Sequence, residues 1–437
     1  VAWWVLLVAI VLAIFFSLVW TCLFQCLGGC CIWTSIVGCL VVIFILGIYV
    51  LVVGITQLKD STEADKTNNY VFIGFGALLL LIGVILILIL IFLRKRINLA
   101  IDLIKEAGRV LRNSWCIILI PICYILIFIV ATVLFVITIV YFCSSMDVSI
   151  EGGQRDLVMN NSQRGILLVS FFIYLWVLFF LVGMNQTTLA GVGASYYFAH
   201  SDDERPTFPI ARTLKIIFLH HLGSVAVGSC LIAIVAFIRA VVMYLQKQAK
   251  KSQNKAAQMC LKCLQCCLGC LQRIVEYITS RAYVMMMIHG KGFFHSAYDG
   301  IRLVMRNFIR SSIVGSIAKL VVFFGIFVIM LLTTFVCIVI LRPDFLGASE
   351  PFLHVVYWWL IVLVCVIISF TVAYLMMSIY DFLVTTIFLC FLQDEEMAQT
   401  NGGQYVIYAS EDLRSHMEVA KQKGQEMLDK DQQKNAE

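Results

Sequence analysis

No Asp, Glu, Lys, Arg or His occurs in the first 58 residues. Only a bilayer asks for so long an uncharged run, because its hydrocarbon core is about 30 Å thick and a crossing helix needs roughly twenty apolar residues. The pattern recurs as far as residue 392. It predicts an all-α fold, a polytopic membrane helical bundle with about nine spans in this chain. The expected spans are residues 1–20, 31–54, 70–93, 115–142, 165–198, 216–245, 263–288, 312–341 and 355–392. Residues 393–437 are polar and read as a cytoplasmic tail.

The polar connections orient these spans. A Cys/Gly-rich turn is expected over 22–31. The third span stops at Arg94-Lys95-Arg96, which marks that end as cytoplasmic. Residues 94–113 carry six basic and two acidic side chains and read as an amphipathic helix lying on the inner surface. The loop 143–163 then faces outside, where Asn160-Asn161-Ser162 makes Asn160 a candidate glycosylation acceptor. Segments 199–215 and 246–260 both look cytoplasmic by charge, although one crossing between them would put them on opposite sides. Either the basic segment lies outside or one stretch re-enters without crossing; a crossing over 263–288 keeps the tail inside.

Hydrophobic residues are 62% of the 437 and charged residues 13%, about half the charge of an average soluble domain. The net charge of +6 comes from basic residues flanking spans, so the partners expected are the lipid bilayer and not nucleic acid. The chain opens inside an apolar run without Met, and is expected to lack its true N-terminus. Most of the seventeen cysteines lie in apolar runs, where Cys behaves as a small hydrophobe. Cys260, Cys263, Cys266, Cys267 and Cys270 share a helix face instead of forming the turn-separated pairs of a zinc site. They suit a membrane-apposed face, open to palmitoylation. No metal or cofactor is expected. H-E-x-x-H, P-loop and G-x-S-x-G motifs are absent, so no enzyme is expected.

Charges inside spans are the sharpest functional pointers, since each costs about 2.5–3.5 kcal/mol at a helix centre. Asp381 has apolar sequence on both sides. It either attracts a cation or carries a proton, or it is a hydrogen-bonded structural carboxylate. Arg239, the second buried charge, lies near enough to a helix end to snorkel. Midway through the fifth span the sequence turns small and polar, from Asn185-Gln186-Thr187-Thr188 to Ala194-Ser195. Such groups find partners or face a wet cavity. Trp and Tyr gather at membrane interfaces, but Tyr174, Trp176, Tyr374 and Tyr380 lie deeper. Ring faces there would suit a quaternary ammonium.

Several segments resemble the choline transporter-like family of solute carriers. They are Phe92-Leu93-Arg94-Lys95-Arg96-Ile97, Thr188-Leu189-Ala190-Gly191, Ala194-Ser195-Tyr196-Tyr197, His221-x-Gly223-Ser224, Arg281-Ala282-Tyr283, Met305-Arg306-Asn307-Phe308-Ile309-Arg310 and Phe388-Leu389-Cys390-Phe391-Leu392, in the family's order. Cys263, Cys266, Cys267 and Cys270 coincide with its Cys-rich stretch. The resemblance implies about ten spans in the full protein, both termini cytoplasmic, and sodium-independent movement of choline or a related cation such as ethanolamine. One position departs: the family often has Asp where this chain has Thr385, and Asp381 lies one turn earlier on the same face.

The expected function is a carrier for choline or a similar small organic cation, working by alternating access at the plasma membrane or an organelle membrane. The candidate substrate-binding residues are Gln186, Tyr196, Tyr197, Tyr374, Tyr380 and Asp381. A non-transporting scaffold or receptor acting through the tail, and a channel, are the alternatives.

Overall fold

The computed structural model describes residues 3–60, 66–145, 147–151, 154–158, 160–199, 204–251, 255–341, 358–400, 408–410 and 413–414. In chain order the elements are α1 (Trp3–Asp60), α2 (Lys66–Asn113), α3 (Leu119–Ser144), β1 (Asp147–Glu151), β2 (Gln154–Val158), α4 (Asn161–Tyr197), α5 (Pro209–Ile216), α6 (Leu222–Lys251), α7 (Lys255–His289), α8 (Phe293–Arg306), α9 (Phe308–Leu341) and α10 (Trp358–Thr400). Apolar runs become helices because a helix satisfies every backbone N–H and C=O within its own segment, which lipid requires.

Among the described residues seven stretches of helix are long and apolar enough to cross a membrane. They are Trp4–Thr21, Ile36–Thr56, Trp115–Ser144, Ser162–Tyr197, Pro209–Ala249, Phe308–Leu341 and Trp359–Ala398, with a shorter apolar stretch at Ile73–Leu88. The protein is an all-α polytopic membrane bundle. Within the loop expected outside, β1 and β2 pair antiparallel, with Asp147 opposite Val158 and Ile150 opposite Arg155. The span expected over 263–288 lies in α7, which is not among the seven apolar stretches.

The chain divides into two compact units. The first comprises Val1–Val110, Asn307–Thr385 and Ala409–Glu437. Here the turn expected over 22–31 is replaced by helix, and α1 runs unbroken through it. The segment contains no proline, and Gly28 and Gly29 each weaken a helix by only about 1 kcal/mol. Glycines bring α1 and α2 together: a Cβ on Gly76 would lie 2.8 Å from the Leu51 backbone nitrogen, and one on Gly83 would lie 2.9 Å from the Phe44 ring. Small residues allow this approach in lipid. Val5 and Ala9 of α1 pack with Cys337 and Leu341 of α9 and Cys365 of α10. Further along, Phe16 and Trp20 cover Ile326, Ile329, Ala373 and Met377.

The amphipathic connector is corrected in one respect. Residues 94–113 do continue as helix, and two ion pairs lie along one side, Lys105 with Asp102 at 3.1 Å and Arg109 with Glu106 at 2.8 Å. The apolar stripe Leu99, Leu103, Ile104, Ala107 and Val110 is buried in protein, not laid on lipid. Periodicity shows that such a stripe needs cover but does not say which cover. The Tyr380 hydroxyl supplies part of it, donating to the Ile104 carbonyl at 2.5 Å.

The second unit comprises Leu111–Arg306 and Thr386–Tyr408. Its centre is Tyr283, packed with Met184, Ile217, Val225, Met286, Phe293 and Ala297. Glycines again permit the approach: a Cβ on Gly183 would lie 2.8 Å from the Tyr283 hydroxyl oxygen, and one on Gly228 would lie 2.6 Å from the Phe293 ring. Burial obliges that hydroxyl to find an acceptor, and it donates to the Val225 carbonyl at 3.2 Å. Gly290 ends α7 at φ 67°, a left-handed conformation that glycine adopts without penalty. Its N–H bonds back to the Met286 carbonyl at 2.9 Å, and the chain turns into α8.

Candidate substrate site

The small, polar half of α4 resolves into two kinds of residue. Thr187 and Thr188 donate to the carbonyls one turn back, at 2.8 and 2.7 Å. Their hydroxyls are satisfied within the helix, which is how threonine is tolerated in an apolar environment. Asn185 differs: its side-chain oxygen is buried and has no partner among the described residues. Gln186 beside it is half-buried.

Where α4 ends, a cavity of about 350 Å³ opens within the second unit. Gly191, Ala194, Ser195, Phe198 and Ala199 form one wall, Pro209, Arg212, Thr213 and Ile216 a second, and Met287 and Ile288 a third, with Glu204 and Pro206 at the rim. Gly191 makes this geometry possible: a Cβ there would sit 2.4 Å from Thr213 Cγ2 and 2.7 Å from Met287 Cε. The lining is mostly apolar, with two hydroxyls, one carboxylate and one guanidinium. Its size falls in the range of small-molecule sites, about 300–1,000 Å³.

The six expected lining residues lie elsewhere. Tyr196 is half-buried and stacks beneath Arg205, whose guanidinium carbon is 4.2 Å from the ring centroid. Tyr197 is buried and donates to Asp394 at 3.3 Å. In the first unit, Tyr380 is buried against Ile104 as described, Asp381 is half-buried, and Tyr374 is 55% exposed, stacked on Phe370. Arg239 bonds Gln272 at 2.9 Å, and Gln272 bonds Glu276 at 2.8 Å. This chain links the half-buried guanidinium to a carboxylate through one amide. Cys260, Cys263, Cys266, Cys267 and Cys270 are all exposed, and among the described residues no three His, Cys, Asp or Glu side chains are placed to hold a metal.

Asp394 was not among the expected site residues, because the polar tail was expected to begin at residue 393. Helix α10 continues to Thr400, and Asp394 is fully buried on it. Its carboxylate accepts from the Tyr197 hydroxyl at 3.3 Å and from the Tyr408 backbone N–H at 3.1 Å. The Tyr408 ring meets Phe198 edge to face at 5.2 Å. One buried carboxylate thus ties a tail residue to the end of α4, beside the cavity that Phe198 lines. The sequence signal was the adjoining apolar Phe388-Leu389-Cys390-Phe391-Leu392, which carries the helix past the polar boundary.

A family model described as plasma-membrane choline transporter matches residues 77–396. The chain belongs to this family. It is similar to choline transporter-like protein 2 of Danio rerio, 28% identical over 90% of this chain and 64% of that protein. The Bos taurus protein of that name is 29% identical over 91% and 63%. Choline transporter-like protein 1 of Caenorhabditis elegans is 30% identical over 90% and 56%. The chain therefore spans less than two thirds of the length of these relatives. It is an integral membrane protein of a plasma-membrane family. Part of the family resemblance is carried by packing residues: Ala282 and Tyr283, Leu189 and Ala190, and all five from Phe388 to Leu392 are buried.

Proposed function

We propose that this chain is the membrane-spanning core of a carrier that moves choline, or a related organic cation such as ethanolamine, by alternating access. The observation that carries the proposal is membership of the choline transporter family over residues 77–396. The chemistry of the site supports it. A quaternary ammonium binds an aromatic face without a full countercharge, and Tyr196 already holds the Arg205 guanidinium in that manner. In the second unit, Tyr196 would exchange Arg205 for the substrate cation, and Gln186 would bond a substrate hydroxyl. Ser195, Thr213, Phe198 and Glu204 would line the route at the end of α4. In the first unit, Asp381 would lower the electrostatic barrier to a cation, and Tyr374 would offer a ring face. Tyr197 and Tyr380 would act by position, since their hydroxyls are held by Asp394 and Ile104. Asn160, which is exposed, would carry a glycan on the outer side.

The test is labelled-choline uptake by Asp381→Asn and Tyr196→Ala proteins in proteoliposomes, competed with ethanolamine and betaine. Each substitution is expected to raise the choline concentration for half-maximal uptake about tenfold, equivalent to about 1.4 kcal/mol. Unchanged half-saturation in both proteins would remove these residues from the substrate path.

A further inference from the structure

Helix α8 has three faces where a helix buried on one side needs two. Phe293, Ser296, Ala297, Gly300, Leu303 and Val304 are buried in the second unit, and Gly300 lies close enough that a Cβ would be 3.2 Å from Met285 Cγ. Away from that contact, Phe294 is 70% exposed, Tyr298 63% and Met305 63%. At 3.6 residues per turn these three and Ile301 fall within about 60° of one another. An adjoining stripe holds Arg302, His295 and Arg306, all exposed.

An apolar stripe bordered by cations is the pattern of a helix lying in a membrane interface, with its apolar side in the acyl boundary and its basic side among headgroups. Two observations say what covers this one. Only Asn307 separates α8 from α9, whose stretch long and apolar enough to cross a membrane opens at Phe308, so α8 adjoins in sequence a helix suited to enter the bilayer. Between His289 and Arg310 the chain carries Lys291, Arg302, Arg306 and Arg310 against one acidic residue, Asp299. Lys291 and Arg306 are paired, with Asp299 at 2.9 Å and Glu396 at 3.0 Å. Arg302 makes no ion pair among the described residues and lies next to the apolar stripe.

We propose that α8 is an in-plane anchor whose outer face seats on anionic lipid, with Phe294, Tyr298 and Met305 in the acyl boundary and Arg302 against a headgroup phosphate or carboxylate.

An environment-sensitive fluorescent amino acid placed at position 298 of the full chain, in nanodiscs of phosphatidylcholine with or without phosphatidylserine, tests the seating. The expected emission is that of an apolar site, quenched by nitroxide-bearing lipid and shielded from aqueous iodide. The charge is tested by the phosphatidylserine retained on purification, which is expected to fall about five-fold in Arg302→Gln, the worth of one basic residue at an anionic surface. Three outcomes would overturn the proposal. The first is a fluorophore open to iodide in both nanodiscs. The second is a fluorophore shielded only when soluble protein is added, which would assign the face to a protein partner. The third is phosphatidylserine retention unchanged in Arg302→Gln. The labelled protein keeps every α8 contact on its buried side, so the seating measurement does not depend on the variant folding.

Discussion

Around Val5, Ala9, Cys337, Leu341 and Cys365 the first unit packs small and aliphatic side chains with no charge among them. Around Tyr283 the second unit packs a phenol whose hydroxyl needs an acceptor, and it also holds the Arg239–Gln272–Glu276 chain and the buried carboxylate of Asp394. Both units draw helices together through glycine, at Gly76 and Gly83 in one and at Gly183, Gly191 and Gly228 in the other. Between these two clusters the contrast is in polarity, and elsewhere the first unit makes directed contacts of its own, from Tyr380 to Ile104 and from Arg109 to Glu106. Packing without polar groups has no directional demand and holds helices by dispersion. Buried polar groups fix direction, because an unmade hydrogen bond costs about 1–3 kcal/mol. The cavity at the end of α4 lies in the unit built round Tyr283.

The comparison can be broken most severely at Gly191. Gly191→Val would fill the space taken by Thr213 and Met287. Uptake should be abolished, and thermal denaturation in detergent should show a loss of about 1–3 kcal/mol, the usual cost of overpacking. Gly223, where a Cβ meets nothing within 4 Å, is the control: Gly223→Ala should gain up to about 1 kcal/mol from helix propensity. Next in size, Asp394→Ala should cost about 1–3 kcal/mol, because the Tyr197 hydroxyl and the Tyr408 N–H lose their acceptor. It should also speed proteolysis of the tail beyond residue 400. Unchanged cleavage would show that the carboxylate does not hold Tyr408.

Two tyrosines sharpen the comparison. Tyr283→Phe and Tyr380→Phe each remove one hydroxyl that donates to a helix carbonyl, in different units. Each should cost about 1 kcal/mol in a denaturation curve. A cost confined to Tyr283 would mean that only the second unit relies on directed polar contacts. The smallest effect concerns Asp299. The hydrogen bond from Lys291 holds its carboxyl below the ordinary value of 3.8. A carboxyl lowered by folding adds stability above its unfolded value and loses it as pH falls through the lowered folded value. As pH drops below 3.8, the native protein should lose melting temperature more steeply than Asp299→Asn. Parallel curves would remove the pair from the account.

The all-α membrane character was legible because lipid leaves the backbone few options and apolar length carries the signal. What covers each helix was not. Leu99, Leu103 and Ile104 have the spacing of a lipid-facing stripe and of a protein-facing one, and only packing distinguishes the two. The contact between Tyr197 and Asp394 joins positions 197 residues apart, and no local pattern announces it. Asp381 stood out against uncharged sequence. Asp394 did not, because Glu395 and Glu396 beside it gave it the look of a solvated tail. The cavity was missed for a related reason: its walls are Gly, Ala, Pro and Thr, which mark close approach as readily as they mark a binding site.

The proposal with most at stake is that this chain moves choline. Counterflow tests it most directly: proteoliposomes holding the purified chain are loaded with unlabelled choline and diluted into labelled choline. The account predicts saturable uptake, with transient accumulation of label above the external concentration, because an alternating site exchanges one cation for another. Uptake that rises linearly with concentration and is indifferent to internal choline would indicate a channel, and no uptake above empty vesicles would contradict transport of choline altogether.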